Sequence, residues 1–213
     1  MTYCPHGKRP GATRDERRAY AVMNAVKNDA MVVSSDGRTN VPISVRISEI
    51  MKAGWEDLPF KSFITPETTL VPVPKSGKRM AHELWVSERV AAAMCEAGMG
   101  GRVSPCLARE TPIRKSAYCA PEDRPTAEEH YATLAVDTRL GAPEQVVLVD
   151  DVVTSGAMML ASANKLADAY EGVQIKGFAV IRTQSDRSAF RDDNGPAVGT
   201  ITLQDTGRTV RRP

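Results

Sequence analysis

Residues 146–157 of the chain are Val146-Val147-Leu148-Val149-Asp150-Asp151-Val152-Val153-Thr154-Ser155-Gly156-Ala157. The four aliphatic residues at the start of this stretch are typical of a strand that is covered on both faces, as in the parallel sheets of α/β domains. Open α/β sheets bind ligands beyond the carboxyl ends of their strands. The stretch therefore predicts an α/β fold with a ligand site at Asp150 and Asp151.

A helix is predicted to begin directly after the acidic pair. Apolar residues then recur at helical spacing, at Met159, Leu160, Ala163, Leu166, Ala167 and Tyr170. The free N–H groups and the positive dipole end at the start of a helix favour an anion, most simply a phosphate, on the turn. Neighbouring carboxylates would repel that phosphate unless they contact sugar hydroxyls or a magnesium ion. The residues therefore predict a sugar phosphate that binds together with Mg²⁺.

A second loop suited to phosphate groups follows a predicted strand at residues 70–73. Pro72 and Pro74 prevent regular strand pairing there, so the N–H groups after them stay free for ligand oxygens. Lys75 adds a point charge, and Gly77 allows a close approach of the backbone. Taken alone, the loop fits a stiff connection with solvated lysines better. Beside the acidic motif, pyrophosphate binding is the preferred interpretation.

Three segments together resemble a known family. They are Val149-Asp150-Asp151-Val152-Val153-Thr154-Ser155-Gly156, Val71-Pro72-Val73-Pro74-Lys75-Ser76 and Ile181-Arg182-Thr183. They are similar to the type I phosphoribosyltransferases, and most of all to the ComF-like competence branch, over about residues 69–183. The resemblance implies a three-layer α/β fold with a mainly parallel central sheet and a flexible cover loop. A helical attachment at residues 1–68 would precede a phosphoribosyltransferase-like domain at residues 69–213.

The resemblance also implies an activity and roles for individual residues. The chain would bind 5-phosphoribosyl 1-diphosphate (PRPP) with Mg²⁺ and transfer the phosphoribosyl group to a nitrogen of a nucleobase or amine, releasing pyrophosphate. The PRPP-binding residues would be Pro74, Lys75, Ser76, Gly77, Asp150, Asp151, Val152, Val153, Thr154, Ser155, Gly156, Ala157 and Met158. The catalytic residues would be Lys75, Arg114, Lys115, Asp150 and Asp151, and Arg182 and Thr183 would face the acceptor. The acidic pair would contact the ribose hydroxyls and hold Mg²⁺, directly or through water.

One position departs from the family pattern, which usually has a small or hydroxylic residue where this chain has Met158. A hydroxyl contact to the phosphate is therefore missing, and this bears more on turnover than on binding. The alternative function is a non-catalytic PRPP or nucleotide sensor, or a ComF-like accessory protein in DNA handling. The sequence leaves open the acceptor, the pathway and whether the chain forms a homodimer.

The segment at residues 110–129 contains Pro112, Pro121 and Pro125, mixed charge and few large apolar residues, so no regular element is predicted for it. In the resembled family this region is a flexible cover that closes over PRPP and excludes water during transfer. Arg114 and Lys115 are the cover residues whose charge would reach the leaving pyrophosphate.

The acidic pair fits neither a P-loop NTPase nor a signalling receiver domain. A P-loop NTPase needs a G-x-x-x-x-G-K-[ST] loop, but Gly77-Lys78 is followed by Arg79 and has no glycine five residues earlier. A receiver domain would need about 100 residues after its first strand. Only 62 residues follow Asp151.

Composition narrows the class of protein further. The 213 residues carry a net charge of +2, are 42% hydrophobic and 25% charged, and contain no long basic run, so nucleic-acid binding is not required. No stretch approaches the 18 or so apolar residues of a membrane span, and no secretory signal is recognisable. We expect a cytoplasmic protein with free thiols and without membrane partners. The basic tail at Arg208, Arg211 and Arg212 is expected to be a solvated end.

Periodicity predicts the remaining elements. Helices are expected at residues 14–28, after a capping box at Thr13, and at residues 43–54 and 81–97. Strands are expected at residues 31–34, 70–73, 103–107, 146–149 and 173–181. The alternation of strands and helices after residue 69 predicts a parallel sheet.

Overall fold

The computed structural model describes residues 1–116, 119–141, 143–191 and 195–212. The strands of this part of the chain are β1 (Thr2–Tyr3), β2 (Met31–Val33), β3 (Asn40–Pro42), β4 (Thr69–Pro72), β5 (Arg102–Val103), β6 (Leu107–Arg109), β7 (Leu134–Val136), β8 (Gln145–Val153), β9 (Gln174–Thr183), β10 (Thr200–Leu203) and β11 (Thr209–Arg212). Its α-helices are α1 (Arg14–Lys27), α2 (Ile43–Ala53), α3 (Val86–Glu96), α4 (Ala127–Ala132) and α5 (Ala157–Ala169). The predicted α/β class is confirmed.

The central sheet has five strands in the order β5-β4-β8-β9-β1, and every neighbouring pair is parallel. After β4 the chain moves to one side of the sheet, to β5, whereas after β8 it moves to the other side, to β9. The order of the strands therefore reverses between β4 and β8. In open α/β sheets the crevice beyond the carboxyl ends of two such strands is the usual ligand site.

Helices flank both faces of this sheet, so β8 is buried on both faces. Val147 and Val149 belong to a core cluster with α1, α2 and α3, whereas Val146 and Leu148 belong to a second cluster with α5. The helices that follow β4 and β8 thus lie on opposite faces. This arrangement is compatible with the expected three-layer fold.

The first 68 residues contribute to the same core and the same sheet. Helix α1 begins at the predicted capping box, in which the Thr13 hydroxyl accepts from Glu16 N and the Glu16 carboxylate accepts from Thr13 N. Strand β1 pairs with the outer edge of β9, where the Met1 ammonium donates to the carbonyl of Val180 at 3.2 Å. Met23, Val26, Ile47, Met51 and Ile64 are buried in the first core cluster.

Two predicted elements differ from the structure. The helix expected at residues 81–97 begins only at Val86, because the indole N–H of Trp85 donates to the carbonyl of Val73 at 2.8 Å and holds the preceding chain away from the helix. His82 lies before the helix, with φ +64°. The strand expected at residues 103–107 is two strands, since β5 stays in the central sheet while β6 pairs with β7 in a separate antiparallel ribbon.

The basic tail is a folded hairpin, and the prediction of a solvated end holds for only two of its three arginines. Strands β10 and β11 form an antiparallel hairpin that packs back onto the domain, and Ile201 and Arg211 are opposite each other within it. Of the three arginines, Arg208 and Arg212 are exposed and Arg211 is not. The hairpin leaves little signal in the sequence because its strands are short and mostly polar.

The predicted cover segment is partly regular. Helix α4 begins at Ala127 after a second capping box, formed by Thr126 and Glu129, so the expectation of no regular element before His130 is wrong there. Residues 117 and 118 of this segment lie outside the described residues. In the part of the chain that the structure describes, no helix combines the length and the apolar character needed to cross a bilayer.

Candidate functional site

The acidic pair lies inside strand β8 rather than beyond it, since that strand runs on to Val153. Asp150 Oδ1 accepts from the N–H of Asp151 at 2.9 Å and from the Ser87 hydroxyl at 3.3 Å. Asp151 Oδ1 accepts from the N–H of Val152 at 2.9 Å. Both side chains are half-buried.

The two neighbouring carboxylates influence each other's protonation. Burial, followed by the adjacent negative charge of Asp151, raises the pKa of Asp150 well above its usual range. A magnesium ion or sugar hydroxyls would relieve this repulsion. No group of three or more His, Cys, Asp or Glu in the described ranges could hold a metal ion alone. Mg²⁺ is a cation that one or two carboxylates can hold when waters and phosphate oxygens complete its coordination.

The raised pKa of Asp150 predicts how stability changes with pH. The folded chain retains a proton that the unfolded chain has already released, so the free energy of unfolding falls as pH rises from the unfolded to the folded pKa of this group. Asp150→Asn keeps the oxygen that accepts from Ser87 and Asp151 but removes the charge. We expect this variant to be more stable than the wild type at pH 8, with a smaller difference at pH 4, in chemical denaturation. A difference that is larger at pH 4 would contradict the assigned repulsion.

The predicted phosphate turn joins β8 to α5. Gly156 adopts the left-handed conformation, φ +87°, which directs the chain from the strand into the helix. The backbone N–H groups of residues 154–158 donate no hydrogen bond to any acceptor in the described part of the chain. Thr154 and Ser155 are exposed, whereas Gly156 and Ala157 are buried. The turn therefore presents a row of free donors at the positive end of a helix, as an anion site requires.

The loop at residues 74–77 lies beside this turn. Strand β4 pairs with β8 up to Pro72 and Val149, and one further bond joins Val73 N to Val149 O at 2.9 Å. Beyond this point the N–H groups of Lys75, Ser76 and Gly77 donate to no acceptor within the described residues. The expectation that both prolines prevent strand pairing is wrong for Pro72, which ends the paired strand β4 and is followed by the bonded N–H of Val73. Only the N–H groups after Pro74 donate to no acceptor in the described ranges. The two loops leave the sheet at the same edge from neighbouring strands.

The predicted cations are engaged with acidic side chains. Lys75 Nζ lies 2.5 Å from Glu83 Oε1 and donates to the carbonyl of Leu84 at 2.7 Å. The Lys75 bond, and to a smaller extent the charge of Lys115, lower the pKa of Glu83. Arg114 makes a bidentate ion pair with Glu129, at 2.7 and 3.0 Å. Lys75 and Arg114 therefore each lie in an ion pair with a glutamate.

Arg109 is a site residue that sequence reasoning missed. It is only 4% exposed at the end of β6, and its guanidinium donates to Lys75 O at 2.5 Å and to Met158 Sδ at 3.0 Å. It also donates to the Thr133 hydroxyl and lies 3.3 Å from His130 Nδ1. Arg109 therefore connects the loop after β4 with the first turn of α5.

The charge of Arg109 has no acidic counterpart among the described residues. Burial lowers its pKa to about 10, which leaves the guanidinium charged at neutral pH. Burial and then the charge of Arg109 lower the pKa of His130 to about 4. The imidazole is therefore neutral, and its Nδ1 accepts from Arg109 in the tautomer with the proton on Nε2. Nothing in the local sequence distinguishes Arg109 from a surface residue.

The C-terminal hairpin covers the other side of the turn. Arg211 donates to the carbonyls of Thr154 and Thr183, at 3.1 and 2.7 Å. A Cβ at Gly156 would lie 2.6 Å from Ile201 Cδ1. Burial, and secondarily the nearby charge of Arg182, lower the pKa of Arg211. The hairpin is thus a wall of the candidate site.

The residues expected on the acceptor side lie near this wall. Arg182 Nε donates to the Thr2 hydroxyl at 3.0 Å, and Thr183 is buried with a hydroxyl that has no hydrogen-bond partner among the described atoms. A mostly apolar cavity of about 730 Å³ runs along β9 and reaches Val153, Arg182 and Arg211. The structure therefore places an apolar compartment at the end of β8, where Val153 is one of its lining residues.

No protein-family model matches the chain, and no curated protein is significantly similar to it.

Proposed function

We propose that the chain binds PRPP together with Mg²⁺ and transfers the phosphoribosyl group to a nitrogen of a nucleobase or amine, releasing pyrophosphate. The proposal is carried by two adjacent loops with free N–H groups, residues 75–77 and 154–158, beside two half-buried carboxylates. A ligand with a phosphate at one end, a diphosphate at the other and hydroxyls between them matches this order of groups.

Each part of PRPP has a corresponding part of the site. The 5′-phosphate would accept from the N–H groups of residues 154–158, and the pyrophosphate from those of residues 75–77. The second oxygens of Asp150 and Asp151 would accept from the ribose hydroxyls and hold Mg²⁺ through water. Bound Mg²⁺ would neutralise charge on the pyrophosphate.

The proposed reaction needs no covalent intermediate with the protein. The acceptor nitrogen forms a bond to the anomeric carbon while the bond from that carbon to the pyrophosphate oxygen breaks. Pyrophosphate leaves with the electron pair, and the nitrogen releases a proton to water. The role of the chain is to position the reactants and to offer donors to the leaving group. The cavity beside Arg182 and Arg211 provides space for the acceptor.

A non-catalytic PRPP or nucleotide sensor, including a ComF-like accessory role in DNA handling, is the second candidate. It is favoured by the ion pairs of Lys75 with Glu83 and of Arg114 with Glu129, which hold the expected catalytic cations away from a leaving group. An enzyme would have to break these pairs when PRPP binds, whereas a sensor could keep them.

Isothermal titration of the wild-type chain with PRPP and Mg²⁺ tests both candidates at once. We expect saturable binding that weakens when Mg²⁺ is chelated. The absence of heat at millimolar PRPP would contradict both. Pyrophosphate release, measured with a panel of nucleobases and amines, then separates an enzyme from a sensor, because only the enzyme releases pyrophosphate in an acceptor-dependent way.

A further inference from the structure

We infer that Arg109 is the buried cation of the phosphate site. In the free protein its guanidinium donates a hydrogen bond to the sulfur of Met158, and a phosphate oxygen replaces this sulfur when the ligand binds. The inference deepens the proposed function and rests on the binding of a sugar phosphate at residues 154–158. It also assigns a role to Met158, the residue at which the sequence departs from the family pattern.

The buried charge of Arg109 lacks compensation. A buried guanidinium normally has a carboxylate partner, because the loss of hydration must be offset. Arg109 is 4% exposed and has only neutral partners in the described chain, namely a carbonyl, a hydroxyl, an imidazole and a thioether. A bound anion would provide the missing negative charge.

The thioether of Met158 is the weakest of those partners. A thioether sulfur is a poor acceptor, whereas a hydrogen bond between a guanidinium and a phosphate is charge-assisted and much stronger. Nη2 of Arg109 donates to Met158 Sδ at 3.0 Å. A methionine side chain has three rotatable bonds, so the sulfur can move aside at little cost.

Met158 also lies where the phosphate would bind. It is the second residue of α5, and its N–H belongs to the row of free donors at the turn. Helical side chains lean towards the N-terminus of their helix, so the Met158 sulfur points towards the same end as those donors. Arg109 therefore reaches the turn from the side of the loop at residues 74–77, to which it is joined through the carbonyl of Lys75.

The test compares the binding of ribose 5-phosphate and of PRPP with Mg²⁺ by wild type, Arg109→Met and Arg109→Lys. Arg109→Met leaves the Lys75 carbonyl, the Thr133 hydroxyl and His130 Nδ1 without their donor, so we expect its melting temperature to fall, and circular dichroism must first show that the variant is folded at the temperature of the titration. We expect it to bind ribose 5-phosphate roughly 10- to 100-fold more weakly, and Arg109→Lys to recover part of that loss. Arg139→Gln, which removes one charge from an exposed arginine, is the control and should bind as wild type does.

The replacement of the Met158 sulfur by a phosphate oxygen can be measured separately by NMR. In protein labelled with ¹³C at the methionine methyl groups, the Met158 resonance is identified by its absence from Met158→Leu. Saturating ribose 5-phosphate should shift this resonance in the wild type. Met158→Leu should bind at least as tightly as wild type, because the sulfur only competes with the ligand.

The possible results distinguish a failure of the proposed function from a failure of the role of Arg109. If the wild type binds neither ligand, the proposed function fails and the inference fails with it. If the wild type binds ribose 5-phosphate and folded Arg109→Met binds it equally well, only the role of Arg109 is overturned. The proposed replacement of the sulfur is overturned if the Met158 resonance stays in place at saturation. It is also overturned if Met158→Leu loses as much affinity for ribose 5-phosphate as Arg109→Met does.

Discussion

Replacing both Asp150 and Asp151 by asparagine is expected to weaken PRPP binding by about 100-fold or more in the presence of Mg²⁺, while the chain stays folded. Each charged hydrogen bond contributes about 1.5–3 kcal/mol, so the loss of two such acceptors reaches this range. The variant keeps the oxygens that accept from Ser87 and from the backbone. Isothermal titration measures the affinity, and circular dichroism checks the fold.

Two controls make this result specific. Glu56→Gln with Asp57→Asn removes an adjacent acidic pair that is exposed and far from the turn in sequence, and it should leave PRPP affinity unchanged. Mg²⁺ without PRPP should raise the melting temperature of the wild type more than that of the Asp150→Asn, Asp151→Asn variant, because the ion relieves the repulsion in the wild type alone. If the double variant binds PRPP as tightly as wild type, the carboxylates do not contact the ribose.

The parts of this site that depend on local geometry could be predicted from the sequence. The aliphatic run of β8 and the helical spacing after Gly156 indicate the strand, turn and helix, because a strand buried on both faces and an amphipathic helix leave clear periodic patterns. Pro74 marks the point after which the N–H groups of the neighbouring loop are free, whereas Pro72 still pairs within β4. These features depend on residues a few positions apart in the chain.

The cations could not be assigned in this way, because their partners are set by tertiary contacts. Lys75 pairs with Glu83 across eight residues, and Arg114 with Glu129 across fifteen, although the sequence suggests free charges facing the site. Arg109 lies in a strand of three residues and contacts segments up to 49 residues away. Its burial follows from contacts with Lys75, His130 and Met158, which no local pattern indicates.

The C-terminal hairpin escapes prediction for a different reason. Its strands have four residues each, and apolar and polar residues alternate only weakly along them. The three arginines therefore make the segment look like a charged chain end. Gly207, with φ +74°, is the available signal for a turn between them. Because the hairpin contacts the phosphate turn through Ile201, the fold of the last residues bears directly on the site.

This contact gives the largest expected effect on stability. Gly156→Ala should lower the free energy of unfolding by about 2–4 kcal/mol, the sum of the left-handed backbone strain and the overpacking of a core contact. The added Cβ would lie 2.6–2.8 Å from three atoms of the Ile201 side chain, so the hairpin must move away from the turn. Chemical denaturation measures the loss, and PRPP affinity should fall with it because the N–H groups of residues 154–158 are displaced.

Gly172→Ala isolates the backbone contribution. Gly172 has φ +73°, and a Cβ there meets nothing within 4 Å, so this variant should lose only about 1–2 kcal/mol. Combining Gly156→Ala with Ile201→Ala makes room for the new methyl group, and the two changes together should cost less than the sum of their separate effects. Strict additivity, or equal losses in Gly156→Ala and Gly172→Ala, would mean that the hairpin does not press on the turn. In that case the C-terminal strands could not act as a wall of the site, and the acceptor would have to bind elsewhere.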